Sequence, residues 1–120
     1  MGKQEAKAKY VHFVAPVKEV PEWWKKFNFH LVESMQDMYD SFKEWKPDKS
    51  CFMAFDTETT GLNHEECELV GFSYCLNGKD TYYVPIYHFN YAKNLGEEAV
   101  EYIYARMCEA KLVFFFNARY

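Results

Sequence analysis

Basic residues are the minority charge in this chain. Lysine and arginine total 14 against 18 aspartates and glutamates, a formal net charge of −4. A protein that grips DNA mainly by neutralising phosphates carries a basic excess, so a high-affinity, sequence-indifferent DNA clamp is not expected. An acidic balance suits a carboxylate site for divalent cations, because the bound ion supplies the local positive charge. Long apolar runs are missing too. No stretch approaches the ~20 apolar residues a membrane-spanning helix needs. Residues 1–9 are polar and lysine-bearing, without the apolar segment of a secretory signal. A soluble, cytoplasmic protein with no membrane partner is expected. Metal-type cysteine spacing is also absent. Cys51, Cys67, Cys75 and Cys108 make no C-x-x-C pair and no zinc pattern. Two of them lie in apolar, strand-like runs, and the set reads as reduced core cysteines, which fits an intracellular compartment. No internal repeat and no low-complexity segment is present.

What is abundant is aromatic surface, at 20% of 120 residues. Each buried aromatic removes a large apolar area from water, so one small domain can still build a substantial core. Residues 1–27, punctuated by Pro16 and Pro21, read as an extended lead-in. Its Trp23 and Trp24 suit either packing on the domain's own surface or docking of a partner. Residues 28–120 read as the folded part.

Phe29 to Val32 reads as a short strand. Ser34 then caps a helix, with Asp37 in the capping-box position. Met35, Met38, Tyr39, Phe42 and Trp45 form one apolar stripe at helical spacing, and Pro47 closes it. Cys51 to Phe55 is a continuous apolar run, as for a strand buried on both faces. Leu69 to Leu76 and Thr81 to Ile86 are strands joined through Asn77-Gly78, where both positions tolerate positive φ. Pro85 marks an edge or a strand end. Glu97 to Glu109 reads as a second helix with Val100, Ile103, Tyr104 and Met107 inward, and its acidic start suits the macrodipole. Leu112 to Phe116 is a further buried strand. Strands joined by a hairpin and continued through a helix into a parallel strand give an α/β layout with a mixed sheet.

Chemistry concentrates at Asp56 and Glu58. On an extended strand, residues two apart point to the same side. Two carboxylates there repel unless a proton or cation relieves them. Mg²⁺ and Mn²⁺ prefer such oxygen ligands. Two of these ions, about 4 Å apart, stabilise both the attacking and the leaving oxygen in phosphoryl chemistry. A bare D-x-E at a turn is ordinarily a pair of solvated acids. Here an apolar strand precedes the pair and Thr59-Thr60-Gly61-Leu62 follows it, with hydroxyls, a turn-permitting glycine and an apolar residue on which a base could stack.

The string Phe55-Asp56-Thr57-Glu58-Thr59-Thr60-Gly61-Leu62 resembles the first motif of DEDD-superfamily 3′–5′ exonucleases, which have the ribonuclease H-like fold. Leu69-Val70-Gly71-Phe72-Ser73, then Tyr82-Tyr83-Val84-Pro85 with His88, resemble the strands that follow in the proofreading domain of family A DNA polymerases, of the bacterial polymerase I type or phage relatives. Asn117-Ala118-Arg119-Tyr120 is similar to the start of their second motif. The resemblance spans about residues 28 to 120. It implies catalytic and metal-ligating roles for Asp56 and Glu58, with two Mg²⁺ or Mn²⁺ ions in the complete site. It implies that Thr59 and Leu62 hold the 3′-terminal nucleotide and that Asn117 and Tyr120 line the path of single-stranded DNA. The implied reaction is hydrolysis of the terminal phosphodiester, releasing a nucleoside monophosphate. If a phage encodes the chain, the implied location is the host cytoplasm.

The family uses four carboxylates, and the two later ones have no counterpart here. Glu65, Glu66 and Glu68 do not match those positions and read as a solvated loop, and His88 reads as a structural hydrogen-bonding residue, with a metal ligand or a phosphate contact as the alternative. The expected fold is therefore a ribonuclease H-like mixed sheet with flanking helices, truncated after its fourth main strand. Little or no nuclease activity is expected of the chain alone, and the uncovered last strand should be aggregation-prone. The rest of the polymerase would be supplied by a second chain or by a missing C-terminal part. A non-catalytic scaffold module and a DEDD nuclease acting on RNA are the alternatives.

Overall fold

The computed structural model describes residues 21–46, 51–61 and 65–115. Strands β1 (Asn28–Leu31), β2 (Phe52–Thr59), β3 (Leu69–Cys75), β4 (Asp80–Pro85) and β5 (Leu112–Phe115) form one sheet in the order β1-β4-β3-β2-β5. β2–β3 and β3–β4 are antiparallel, whereas β1–β4 and β2–β5 are parallel. Helices α1 (Met35–Ser41) and α2 (Glu97–Glu109) complete an α/β architecture with a mixed sheet. Among the described residues no helix is long and apolar enough to cross a membrane.

The sheet register explains where the core lies. Side chains alternate between faces along a strand, and partners directly opposite share a face. Met53 and Thr57 therefore share a face with Phe72, Tyr74, Val84 and Val113. That face joins Met38 of α1, Phe42 just after it, and Ala99 and Ile103 of α2 in one buried cluster. Both helices thus cover the same side. Phe42, the C-cap of α1, and Tyr39 within it meet Tyr102 of α2 edge to face, at 5.6 and 4.9 Å between ring centroids. At the centre the Tyr74 hydroxyl is 2.5 Å from Ser41 Oγ, which itself donates to the Met38 carbonyl. Tyr74 must then be the donor to Ser41. Burial drives its phenol pKa well above the usual range, so that hydroxyl keeps its proton.

Local chemistry sets the element ends. Ser34 Oγ accepts from the Asp37 amide, as the capping pattern requires, while Asp37 Oδ2 accepts from the Glu33 amide one residue before the cap. The helix stops at Ser41, before Trp45, so the tail of the apolar stripe continues as turns; Pro47 lies outside the described residues. In the β3–β4 connection only Gly78 takes positive φ, at 74°. Asn77 acts through its side chain instead, accepting from the Lys79 and Asp80 amides. Pro85 closes β4 as a terminus, since β4 lies between β1 and β3 and is no edge.

Several expectations are corrected. β2 is not buried on both faces: Met53 is fully buried, but Phe52 and Ala54 are exposed on the opposite side. In α2 the inward line runs through Ala99 and Ile103, and Tyr104 is 68% exposed. Cys51 is a core cysteine, its Sγ accepting from the Lys111 amide at 3.1 Å, but Cys108 is exposed on α2. The lead-in is not extended throughout. Trp24–Lys26 make a 3-10 turn, and the Trp24 ring packs on Phe29 at 4.8 Å while both stay exposed.

Asp80 ties β1 to the hairpin. Its carboxylate accepts from Asn28 and Asn77 and lies 2.9 Å from His30 Nε2. These hydrogen bonds, that of His30 foremost, lower its pKa from 3.8 to about 2. A depressed folded-state pKa stabilises the fold above the ordinary carboxylate range. That contribution is lost as pH falls from about 4 through about 2. Urea midpoints should fall across this window, and fall less in Asp80→Asn, whose midpoint is already reduced at neutral pH.

Candidate functional site

The side of the sheet that neither described helix covers carries the two acids. Asp56 lies opposite Ser73 and Glu58 opposite Gly71, on the face that also holds Ala54, Cys75 and Phe114. Asp56 is half-buried and Glu58 exposed. The ladder is regular up to Glu58 and shifts between Glu58 and Thr59, where Thr59 pairs with Leu69 and Val70 is the extra residue on β3. A bulge at this point ends the regular pairing just beyond the second acid and bends the strand there. Up to Glu58 the strand keeps its alternation, so both carboxylates point to one side, roughly 7 Å apart along the strand.

Neither acid makes an ion pair among the described residues. Their oxygen donors are of the hard kind that suits Mg²⁺ or Mn²⁺. No third His, Cys, Asp or Glu among the described residues joins them in a cluster. The donor chemistry therefore fits such an ion, while the donor set is partial. Beside Asp56 a groove of about 360 Å³ runs between Ser73, Cys75 and Thr81 on one side and Phe114 on the other. Its floor is largely apolar. On the same face of β2 and β5, Phe52, Leu112 and Phe114 stand 41%, 46% and 56% exposed.

The turn after β2 is fastened by its threonines. Thr59 Oγ1 donates to the Gly61 carbonyl at 2.9 Å, and Thr60 Oγ1 accepts from the Glu68 amide at 2.9 Å. Thr59 thus lies beside Glu58 with its hydroxyl proton already committed. Glu65, Glu66 and Glu68 are exposed. Leu62, Asn117 and Tyr120 lie outside the described residues.

One polar pair close to the acids escapes a reading of the motif. Tyr83 is opposite Ser73, on the same face as Asp56. Its ring runs diagonally over Gly71, so that a Cβ at Gly71 would stand 2.3 Å from the Tyr83 hydroxyl. That hydroxyl is 2.6 Å from His88 Nε2. Burial, and then the negative charge of Glu58, raise the Tyr83 pKa, so the phenol stays protonated. The His88 backbone is held in turn by Asn94, which accepts from its amide and donates to its carbonyl, both at 2.8 Å. A glycine inside a strand is a general sign of close approach by another group. Gly71 carried that signal, but nothing in the linear order names Tyr83 as the visitor.

No family model and no curated protein matches the chain.

Proposed function

We propose that this chain is part of the metal-dependent 3′–5′ exonuclease, or proofreading, domain of a family A DNA polymerase. The observation that carries the reading is the placement of Asp56 and Glu58. The two acids of the exonuclease-like string stand together on an interior strand, on the face that neither described helix covers. The strand order β4-β3-β2-β5, with β2 antiparallel to β3 and parallel to β5, is compatible with a ribonuclease H-like fold.

In this reading Asp56 and Glu58 hold divalent metal, and the ions supply charge stabilisation for hydrolysis of the 3′-terminal phosphodiester of single-stranded DNA. Thr59 and Leu62 contact the terminal nucleotide, and Asn117 and Tyr120 line the strand's path. The protein's own part is to orient the two carboxylates and to offer an apolar floor beside them. Two ligands do not fix two ions, so the remainder of the polymerase supplies the other carboxylates and covers the exposed Phe52, Leu112 and Phe114. The chain alone is inactive. Exposed Trp23, Trp24 and Phe29 favour the second reading, a non-catalytic scaffold whose aromatic edge docks a partner.

Mn²⁺ titration followed by electron paramagnetic resonance separates the two. The exonuclease reading expects weak Mn²⁺ binding that Asp56→Ala abolishes, with no trimming of a 3′-labelled single strand by the chain alone. Absence of Mn²⁺ binding in the unaltered chain, even with a partner present, would favour the scaffold. Processive trimming by the chain alone, lost in Asp56→Ala, would overturn the assigned inactivity.

A further inference from the structure

We propose that Tyr83, backed by His88, is a positioning residue for Glu58, its hydroxyl proton directed at the Glu58 carboxylate. The proposal deepens the metal-ligand reading of Asp56 and Glu58 and rests on it.

Three observations converge. First, Glu58 and Gly71 are direct cross-strand partners. Side chains at such positions start about 5 Å apart. The Tyr83 hydroxyl occupies the space where a Gly71 side chain would begin, 2.3 Å from the position of its Cβ. A glutamate side chain on β2 is long enough to cross the remaining gap. Gly71 is thus the opening through which a residue of β4 reaches an acid of β2, across the intervening strand.

Second, the hydroxyl has a partner on its far side. His88 Nε2 lies 2.6 Å away. A phenol has one proton and two lone pairs. With His88 donating from Nε2–H to the Tyr83 oxygen, the phenolic proton is free to point at Glu58. The chain of donors runs His88, Tyr83 and then Glu58 when the glutamate side chain turns to the hydroxyl; of the two bonds, the His88–Tyr83 one is formed in this structure.

Third, the backing is built rather than incidental. His88 follows β4 in a loop pinned at several points. Asn94 bonds both backbone groups of His88 and the Tyr91 carbonyl, and the Leu95 amide returns to the Pro85 carbonyl at 2.9 Å. The His88 ring also meets Tyr91 edge to face, at 6.3 Å between centroids. A ring fixed this way offers a fixed donor. Hydrogen-bond partners that orient ligands typically alter metal affinity about 10- to 100-fold when removed.

The test uses the full chain with ¹⁵N-labelled histidine, the His88 ring signals being assigned with His88→Gln. Glu58→Gln is expected to shift the His88 ring nitrogens through Tyr83. The same substitution in a Tyr83→Phe background should leave them still. In parallel, Tyr83→Phe should weaken Mn²⁺ binding about tenfold, with near-ultraviolet circular dichroism confirming a native fold. His88 signals identical with and without Glu58→Gln would overturn the contact. An Mn²⁺ affinity untouched by Tyr83→Phe but lost in Asp56→Ala would overturn the positioning role while leaving the ligand reading in place. An Mn²⁺ affinity unchanged in Asp56→Ala would instead remove the ligand reading, and the nitrogen shifts would still decide the Tyr83–Glu58 contact.

Discussion

Phe72→Ala is expected to lower stability by about 3–5 kcal/mol. Phe72 is 1% exposed, lies opposite both Thr57 and Val84, and packs on Phe55 at 5.4 Å and Tyr74 at 6.3 Å between ring centroids. Its ring sits where β2, β3 and β4 meet the helices. Truncation removes the transfer free energy of the ring and leaves a void lined by aromatics that cannot collapse without breaking strand pairing. Small domains have only about 5–15 kcal/mol to lose. The variant should therefore lose much of its near-ultraviolet dichroism at 37 °C, and its urea midpoint should drop sharply if a transition survives. Phe72→Leu refills part of the void and should recover part of the midpoint.

Gly71→Ala should cost about 1–3 kcal/mol by overpacking, and it acts on the site as well as on the fold. The added methyl would stand 2.3 and 2.7 Å from Tyr83 Oη and Cζ and 2.8 Å from the Val84 carbonyl oxygen. The tyrosine ring can swing aside. The Val84 carbonyl belongs to the β3–β4 ladder and moves only with its strand. The expected result is a lower urea midpoint together with displaced His88 ring signals. Adding Tyr83→Ala should relieve the ring clash but not the backbone clash, so the midpoint should recover only in part. Full recovery would place the whole cost on the ring.

The sequence made some of this plain and hid the rest for physical reasons. The helical stripe through Met38 and Phe42, the Ser34 cap and the shared side of Asp56 and Glu58 follow from local periodicity, and periodicity is local information. The partition of β2 into a covered and an open face does not follow. A run such as Cys51 to Phe55 looks the same whether two layers cover it or one, and only the placement of both helices on the Met53 side decides. The outward position of Tyr104 follows from how α2 is rotated against the sheet, which tertiary packing decides and the helical period alone does not. The Tyr83–His88 pair depends on register twice over, once for the β3–β4 ladder and once for the diagonal step over Gly71, and neither can be counted along the chain. Roles for Leu62, Asn117 and Tyr120 rest on the motif alone, since they lie outside the described residues.

The alternation of β2 has a consequence for how such a protein can vary. Met53 belongs to the core and Asp56 and Glu58 to the open side because their positions differ in parity. One residue inserted between Met53 and Asp56, with the pairing before it kept, would turn both acids toward the helices and into apolar packing. Two inserted residues would leave them facing outward, moved about 7 Å along the strand. Length change in this segment is thus quantised in pairs. The turn after Thr60 lies beyond both acids and carries no such restriction.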